Sequence, residues 1–104
     1  MYDAIVIGAR CAGSPVAMLL ARKGYRVLLV DRDRFPSDHM STHWIHQPGV
    51  AQLEHWGLRE RLVATGCPPI TSITMDLGTF TLQGSPPPAN GIEEAYSPRR
   101  TVLD

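Results

Sequence analysis

Residues 5–20 read IVIGARCAGSPVAMLL, and the fold turns on how the glycines within that stretch are used. Gly8 closes one apolar run and Gly13 opens another, keeping the outer frame of G-x-G-x-x-G with Arg10 at the middle position. A loop of this kind joins the end of a buried strand to the start of a helix. Gly8 permits the tight turn. Gly13 lets the helix lie close to the strand, and Ala17 one turn later keeps that contact thin. The first N–H groups of the helix and the positive end of its dipole then face whatever fills the loop, which makes an anion site. Ser14 can add a hydroxyl there.

The flanking periodicity supports this frame. AIVI at 4–7 is a short β-branched run of the kind buried on both faces of a parallel sheet. From Ala12 to Lys23 the apolar positions Val16, Leu19 and Leu20 recur at helical spacing. Pro15 falls in the first turn, where its missing N–H has no partner to lose. Gly24 caps the helix. RVLLVD at 26–31 is the second strand, ending in Asp31, 18 residues beyond Gly13. A dinucleotide fingerprint places its acid at about 20, where the carboxylate takes the ribose hydroxyls. Strand, helix and strand together make one βαβ unit of roughly 30 residues.

Arg10 is the departure from the pattern. A side chain at the middle position takes room that the backbone uses to approach a diphosphate. The donors, however, come from the loop and the helix start. An arginine can also swing out to solvent or fold over the phosphate as a charge-assisted donor. Both orientations are open, and the site reads as adapted, not destroyed.

Beyond Asp31, RDRFPSDHMSTHWIHQ has no period and reads as a loop. PGVAQLEHWGLRERLVATG carries helical spacing through Val50, Leu53, Trp56, Leu58 and Leu62, with Gly57 expected to break it into two short helices. TSITMDLGTFTLQG alternates about Asp76-Leu77-Gly78 as a hairpin does, GSPPPANG is a turn-rich connector, and SPRRTVLD opens another helix. Two parallel strands and one crossover helix cannot cover both sheet faces. The expected architecture is therefore α/β: a Rossmann-like βαβ unit followed by short helices and a β-hairpin. Residues 1–104 are expected to form the N-terminal portion of an incomplete domain, with the remaining strands and a substrate domain elsewhere.

Composition narrows the function. Of 104 residues, 43% are hydrophobic and 19% charged, which suits a globular chain. Ten basic and ten acidic residues balance, so no basic field is offered to nucleic acid. Cys11 and Cys67 lack C-x-x-C spacing and form neither a disulfide framework nor a zinc site, which suits a reducing cytoplasm. Asp3 and Arg10 interrupt any signal-like N-terminus, and the apolar run is far short of the ~20 residues of a transmembrane span. His39, His43 and His46 have no carboxylate or cysteine at a matching spacing, so no metal site is expected.

The stretch YDAIVIGARCAGSPVAMLLARKGYRVLLVDRDRFP resembles the N-terminus of FAD-dependent oxidoreductases of the flavin monooxygenase, geranylgeranyl reductase and flavin-dependent halogenase superfamily. STHWIHQPGVAQLEHWGL is similar to their flavin-contacting loop and following helix, and PRRTVLD to their R-x-x-L segment, so the likeness covers essentially the whole chain. The resemblance implies that Gly8, Ala12 and Gly13 line the pyrophosphate, with Arg10 beside them. It implies that Asp31 holds the adenosine ribose with Arg32 nearby, and that Ser41, Thr42 and His43 lie along the ribityl chain or the isoalloxazine edge. Arg100, placed three residues before Leu103, would be the R-x-x-L arginine that touches FAD, with Arg99 the alternative. The loop histidines then fall near flavin.

The activity implied is that of an FAD-dependent oxidoreductase, foremost a monooxygenase. NAD(P)H would reduce the flavin, and an organic small molecule would be hydroxylated or epoxidised; the cofactor carries the chemistry. No residue of this stretch is assigned as a catalytic acid or base, and the oligomeric state is left open. An NAD-dependent dehydrogenase is the first alternative, since Asp31 suits NAD. The long loop, helix and hairpin after Asp31 favour FAD, because a plain dehydrogenase moves promptly to its next helix and strand. A non-catalytic nucleotide-binding fragment is the second alternative.

Overall fold

The computed structural model describes all 104 residues. The chain divides into two units, Met1–His39 together with Arg100–Asp104, and Met40–Arg99.

The first unit is the βαβ element. Strand β1 (Ala4–Ile7), helix α1 (Gly13–Arg22) and strand β2 (Val27–Val30) follow one another, and the strands pair in parallel with Ala4 opposite Val27 and Ile7 opposite Val30. Helix α1 lies against both strands. Its inward Ala17 is buried, which a thin side chain allows at a close crossing. The helix closes where Gly24 donates its N–H to the carbonyl of Ala21 at 2.9 Å.

Burial on both strand faces is not what the structure shows. Along β1 the residues alternate, with Ala4 and Val6 half-buried and Ile5 and Ile7 turned outward, Ile7 to 85% exposure. One helix covers one face, and two strands bring no second layer. The apolar run thus signals a parallel sheet correctly while this stretch covers only half of it.

The second unit is built around two short helices, α2 (Gln47–His55) and α3 (Arg59–Ala64), broken at Gly57 as the spacing predicts. Its core gathers Val50, Ala51, Leu62, Ile92 and Tyr96, with Ile45, Leu53 and Cys67 packed around them. Two-residue strands β3 (Pro69–Ile70) and β6 (Ala95–Tyr96) pair antiparallel, and Ile45 bridges to Tyr96 from the other side through two backbone hydrogen bonds. Strands β4 (Ile73–Asp76) and β5 (Thr81–Gly84) form the expected hairpin. The connector tightens into a turn where Ala89 and Ile92 exchange backbone hydrogen bonds. Helix α4 (Arg100–Leu103) begins at the predicted place and belongs to the first unit. No helix is long and apolar enough to cross a membrane.

Candidate cofactor-binding site

The loop between β1 and α1 has the geometry that its two glycines demand. Gly8 adopts φ +102°, a left-handed conformation that L side chains rarely take. A Cβ on Gly13 would lie 1.6 Å from the carbonyl oxygen of Gly8 and 3.2 Å from Val6 Cγ1. No side chain fits there, so the helix start and the strand end touch backbone to backbone. This is the close approach expected of the last glycine in the motif.

Asp31 ties the loop from the neighbouring strand. One carboxylate oxygen accepts the N–H of Ala9 at 2.7 Å and the other accepts that of Asp33 at 2.8 Å. The hydrogen bond from Ala9, seconded by that from Asp33, holds the Asp31 carboxyl below the usual carboxylate range. Each oxygen keeps a lone pair for a further donor such as a ribose hydroxyl. The N–H of Ser14 goes to the carbonyl of Arg10, whereas those of Ala12 and Gly13 have no backbone acceptor and stay available to a ligand oxygen. The Ser14 hydroxyl donates to the carbonyl of Ala9 at 2.5 Å, stiffening the turn.

Arg10 is not swung out to solvent, its side chain being 18% exposed. Its guanidinium donates to Asp104 Oδ2 at 2.5 Å, to Asp33 Oδ2 at 3.0 Å and to Ser37 Oγ at 2.6 Å, and it lies 5.0 Å from the Phe35 ring centroid. Asp33, followed by Asp104, raises the Arg10 pKa still further. Asp104 also accepts from Arg100 Nε at 2.9 Å and from Cys11 Sγ at 3.4 Å. Burial pushes the Asp104 carboxyl up, and the hydrogen bonds from Arg100 and Arg10 outweigh it, leaving the carboxyl below its ordinary value.

The structure therefore brings Gly8, Arg10, Ala12, Gly13, Asp31 and Arg100 into one unit, with Arg100 buried and joined to Arg10 through Asp104. Arg32 follows Asp31 but is 91% exposed, its nearest acid being Asp33 at 4.0 Å. Ser41, Thr42 and His43 belong to the second unit, where Ser41 Oγ accepts the His43 N–H at 3.1 Å. His43 holds φ +57°, an uncommon conformation for a non-glycine residue. Trp44 stacks on His46 with ring centroids 5.3 Å apart, and Trp56 is half-buried outside the main cluster. The sequence reading missed Asp33, Ser37 and Asp104. Only the i, i+4 spacing of Arg100 and Asp104 on a helix gave a local signal.

A parallel βαβ unit whose glycine loop is latched to an acid at the end of the second strand defines a Rossmann-like dinucleotide-binding protein. The model of the FAD binding domain family matches residues 1–100. The chain belongs to that family. Among curated proteins it is similar to the squalene epoxidase of Saccharomyces cerevisiae, with 39% identity over 74 residues, 71% of this chain and 15% of the relative. It is also similar to the squalene monooxygenases of Eremothecium gossypii, 41% identical over 56% of this chain and 12% of the relative, and of Candida glabrata, 32% identical over 71% and 15%. The chain thus spans about 12–15% of the length of these relatives.

Proposed function

We propose that residues 1–104 are the N-terminal cofactor-binding portion of an FAD-dependent monooxygenase that hydroxylates or epoxidises a small organic substrate, with NAD(P)H as reductant. The observation that carries the reading is the latch between Asp31 and Ala9 across a loop closed on Gly13. The names of the relatives, squalene epoxidase and squalene monooxygenase, favour oxygen transfer over plain hydride transfer. The outward apolar face of β1 supports a larger sheet, since parallel sheets are covered on both faces. The two free cysteines, Cys11 and Cys67, suit a reducing cytoplasm.

Within this reading the chain's own residues bind and orient. The N–H groups of Ala12 and Gly13, at the positive end of α1, meet the diphosphate oxygens. Asp31, kept ionised by its own hydrogen bonds, accepts from the adenosine ribose while still fixing the loop. Arg32 lies at the solvent edge of the adenosine. Ser41, Thr42 and His43 serve the ribityl chain or the isoalloxazine edge, and Arg100 contacts the cofactor from α4. FAD, when bound, would supply the redox chemistry, electron uptake from NAD(P)H and oxygen activation. The test is the visible absorption of the purified full-length protein together with its NAD(P)H oxidation. A flavin spectrum with oxidation stimulated by substrate supports the reading. A protein that stays colourless after incubation with FAD contradicts it.

A further inference from the structure

Arg10 stands where a glycine would let a diphosphate approach, yet its guanidinium is already engaged. Three acceptors and one aromatic ring surround it: Asp104, Asp33 and Ser37 accept from it, and Phe35 lies against it. Asp33 and Asp104 are shared among guanidinium groups: Asp104 takes Arg10 and Arg100, and Asp33 takes Arg10 with Arg32 at 4.0 Å. A guanidinium whose Nη donors are spent on Asp104, Asp33 and Ser37 must give up one of those bonds or turn to reach a phosphate with them. Withdrawing it would also break a charge-assisted bond to Asp104, whose side chain is 1% exposed.

The geometry has a second consequence. One side chain joins three segments that are remote in sequence: the phosphate loop, the stretch at 33–37 that follows Asp31, and Asp104 just past α4, with the Arg10–Asp104 pair spanning 94 positions. The planar fork of a guanidinium can serve three acceptors at once, where an ammonium presents a single point charge. Asp31 holds the same loop from the other strand through Ala9. The loop is thus braced at two adjacent residues by two independent anchors.

We propose that Arg10 is a positioning residue for the phosphate loop. Its guanidinium, held by Asp104, Asp33 and Ser37, sets the loop in its binding conformation before FAD arrives and does not itself contact the diphosphate. This deepens the FAD-binding reading above and rests on it. The middle glycine is replaced by a brace held on Asp104, Asp33 and Ser37, and the room a glycine would leave is made good by preorganisation.

The test uses the full-length protein as wild type and as Arg10→Met, Arg10→Lys, Asp33→Asn and the double variant Arg10→Met/Asp33→Asn. Asp33→Asn is chosen because Asp33 is partly exposed and lies on Arg10, whereas Asp104 also serves Arg100. FAD dissociation constants and amide hydrogen exchange of residues 8–14 in the FAD-free protein are measured together with the melting temperature. Arg10→Met is expected to weaken FAD binding about tenfold and Asp33→Asn about threefold, with the double variant no weaker than Arg10→Met alone. Loop exchange is expected to accelerate in both single variants by more than any fall in melting temperature accounts for, and Arg10→Lys to recover part of the affinity. A direct phosphate contact gives the opposite sign for Asp33→Asn, because freeing Arg10 from its acid would tighten binding; that result overturns the proposal. So does unchanged loop exchange in Arg10→Met, or, should that variant not fold, in Asp33→Asn. A wild type that takes up no FAD contradicts the cofactor reading instead, and the exchange measurement in the FAD-free protein still decides whether Arg10 braces the loop.

Discussion

Asp31 at the end of the second strand and Ala9 in the loop after the first are joined by a 2.7 Å hydrogen bond, carboxylate to backbone N–H. The acid that the motif assigns to the ribose is therefore also a clasp on the phosphate loop. In the proposed FAD site a single carboxylate would serve both halves of the adenosine diphosphate moiety, one by direct acceptance and the other through the backbone it fixes.

Replacing Asp31 should therefore cost more than one ligand contact. Asp31→Ala is expected to weaken FAD binding by roughly tenfold to a hundredfold, the scale of losing a charged hydrogen-bond partner. Asp31→Asn, which keeps an acceptor for Ala9 but loses the charge, should fall between wild type and alanine. Fluorescence titration with FAD checks the order, and equal affinities for all three would remove Asp31 from the site.

The two glycines should differ sharply. Gly13→Ala forces a Cβ to 1.6 Å from the Gly8 carbonyl oxygen, so helix and strand must separate. A loss of about 3 kcal/mol or more in stability is expected, together with loss of bound flavin. Nothing lies within 4 Å of a Cβ on Gly8, where only the left-handed backbone resists a side chain. Gly8→Ala should then cost about 1–2 kcal/mol. Urea denaturation of both variants measures the difference, and a Gly8→Ala variant less stable than Gly13→Ala would contradict the loop geometry.

Acid should loosen this unit. Asp31 and Asp104 both have lowered pKa values in the folded chain. The unfolded state accordingly takes up protons first as the pH falls. The stabilisation is fully present above the ordinary carboxylate range, about 4, and is lost as the pH drops through the lower folded values. Asp31→Asn should flatten that part of the stability–pH curve. Chemical denaturation at a series of pH values from neutral to strongly acid shows it, and a slope identical to wild type would dissociate Asp31 from the effect.

The core of the second unit offers a separate check. Val50 is completely buried among Ala51, Leu62, Ile92 and Tyr96. Val50→Ala removes two methyl groups from that cluster and should destabilise by about 2–3 kcal/mol. A thermal melt lowered by roughly 10 °C is the expected result, and an unchanged melt would place Val50 outside any cooperative core.

Local physics made much of this legible from the sequence. The β-branched run at 4–7, the helical spacing after Ala12 and the acid at 31 specify the βαβ unit, and the structure places β1, α1 and β2 within a residue or so of those readings. Gly57 broke the long helical pattern as expected, and Asp76-Leu77-Gly78 marked the hairpin, where Leu77 N–H reaches the Phe80 carbonyl. What the sequence hid was non-local. The pairing of β3 with β6 involves two residues on each side, too few for any alternation to register. The fate of Arg10 depends on Asp104, and nothing near residue 10 foretells that partner. The exposure of Ile5 and Ile7 is likewise a matter of how many layers surround a strand, which a run of apolar residues does not state.

The most direct test of the central claim is an equilibrium titration of the FAD-free full-length protein with FAD, repeated in the presence of ADP and with Gly13→Ala. Saturable binding that ADP competes away and that Gly13→Ala abolishes is the result expected of a diphosphate seated at the start of α1 with its ribose on Asp31. FAD binding indifferent to both ADP and the Gly13 substitution would contradict it.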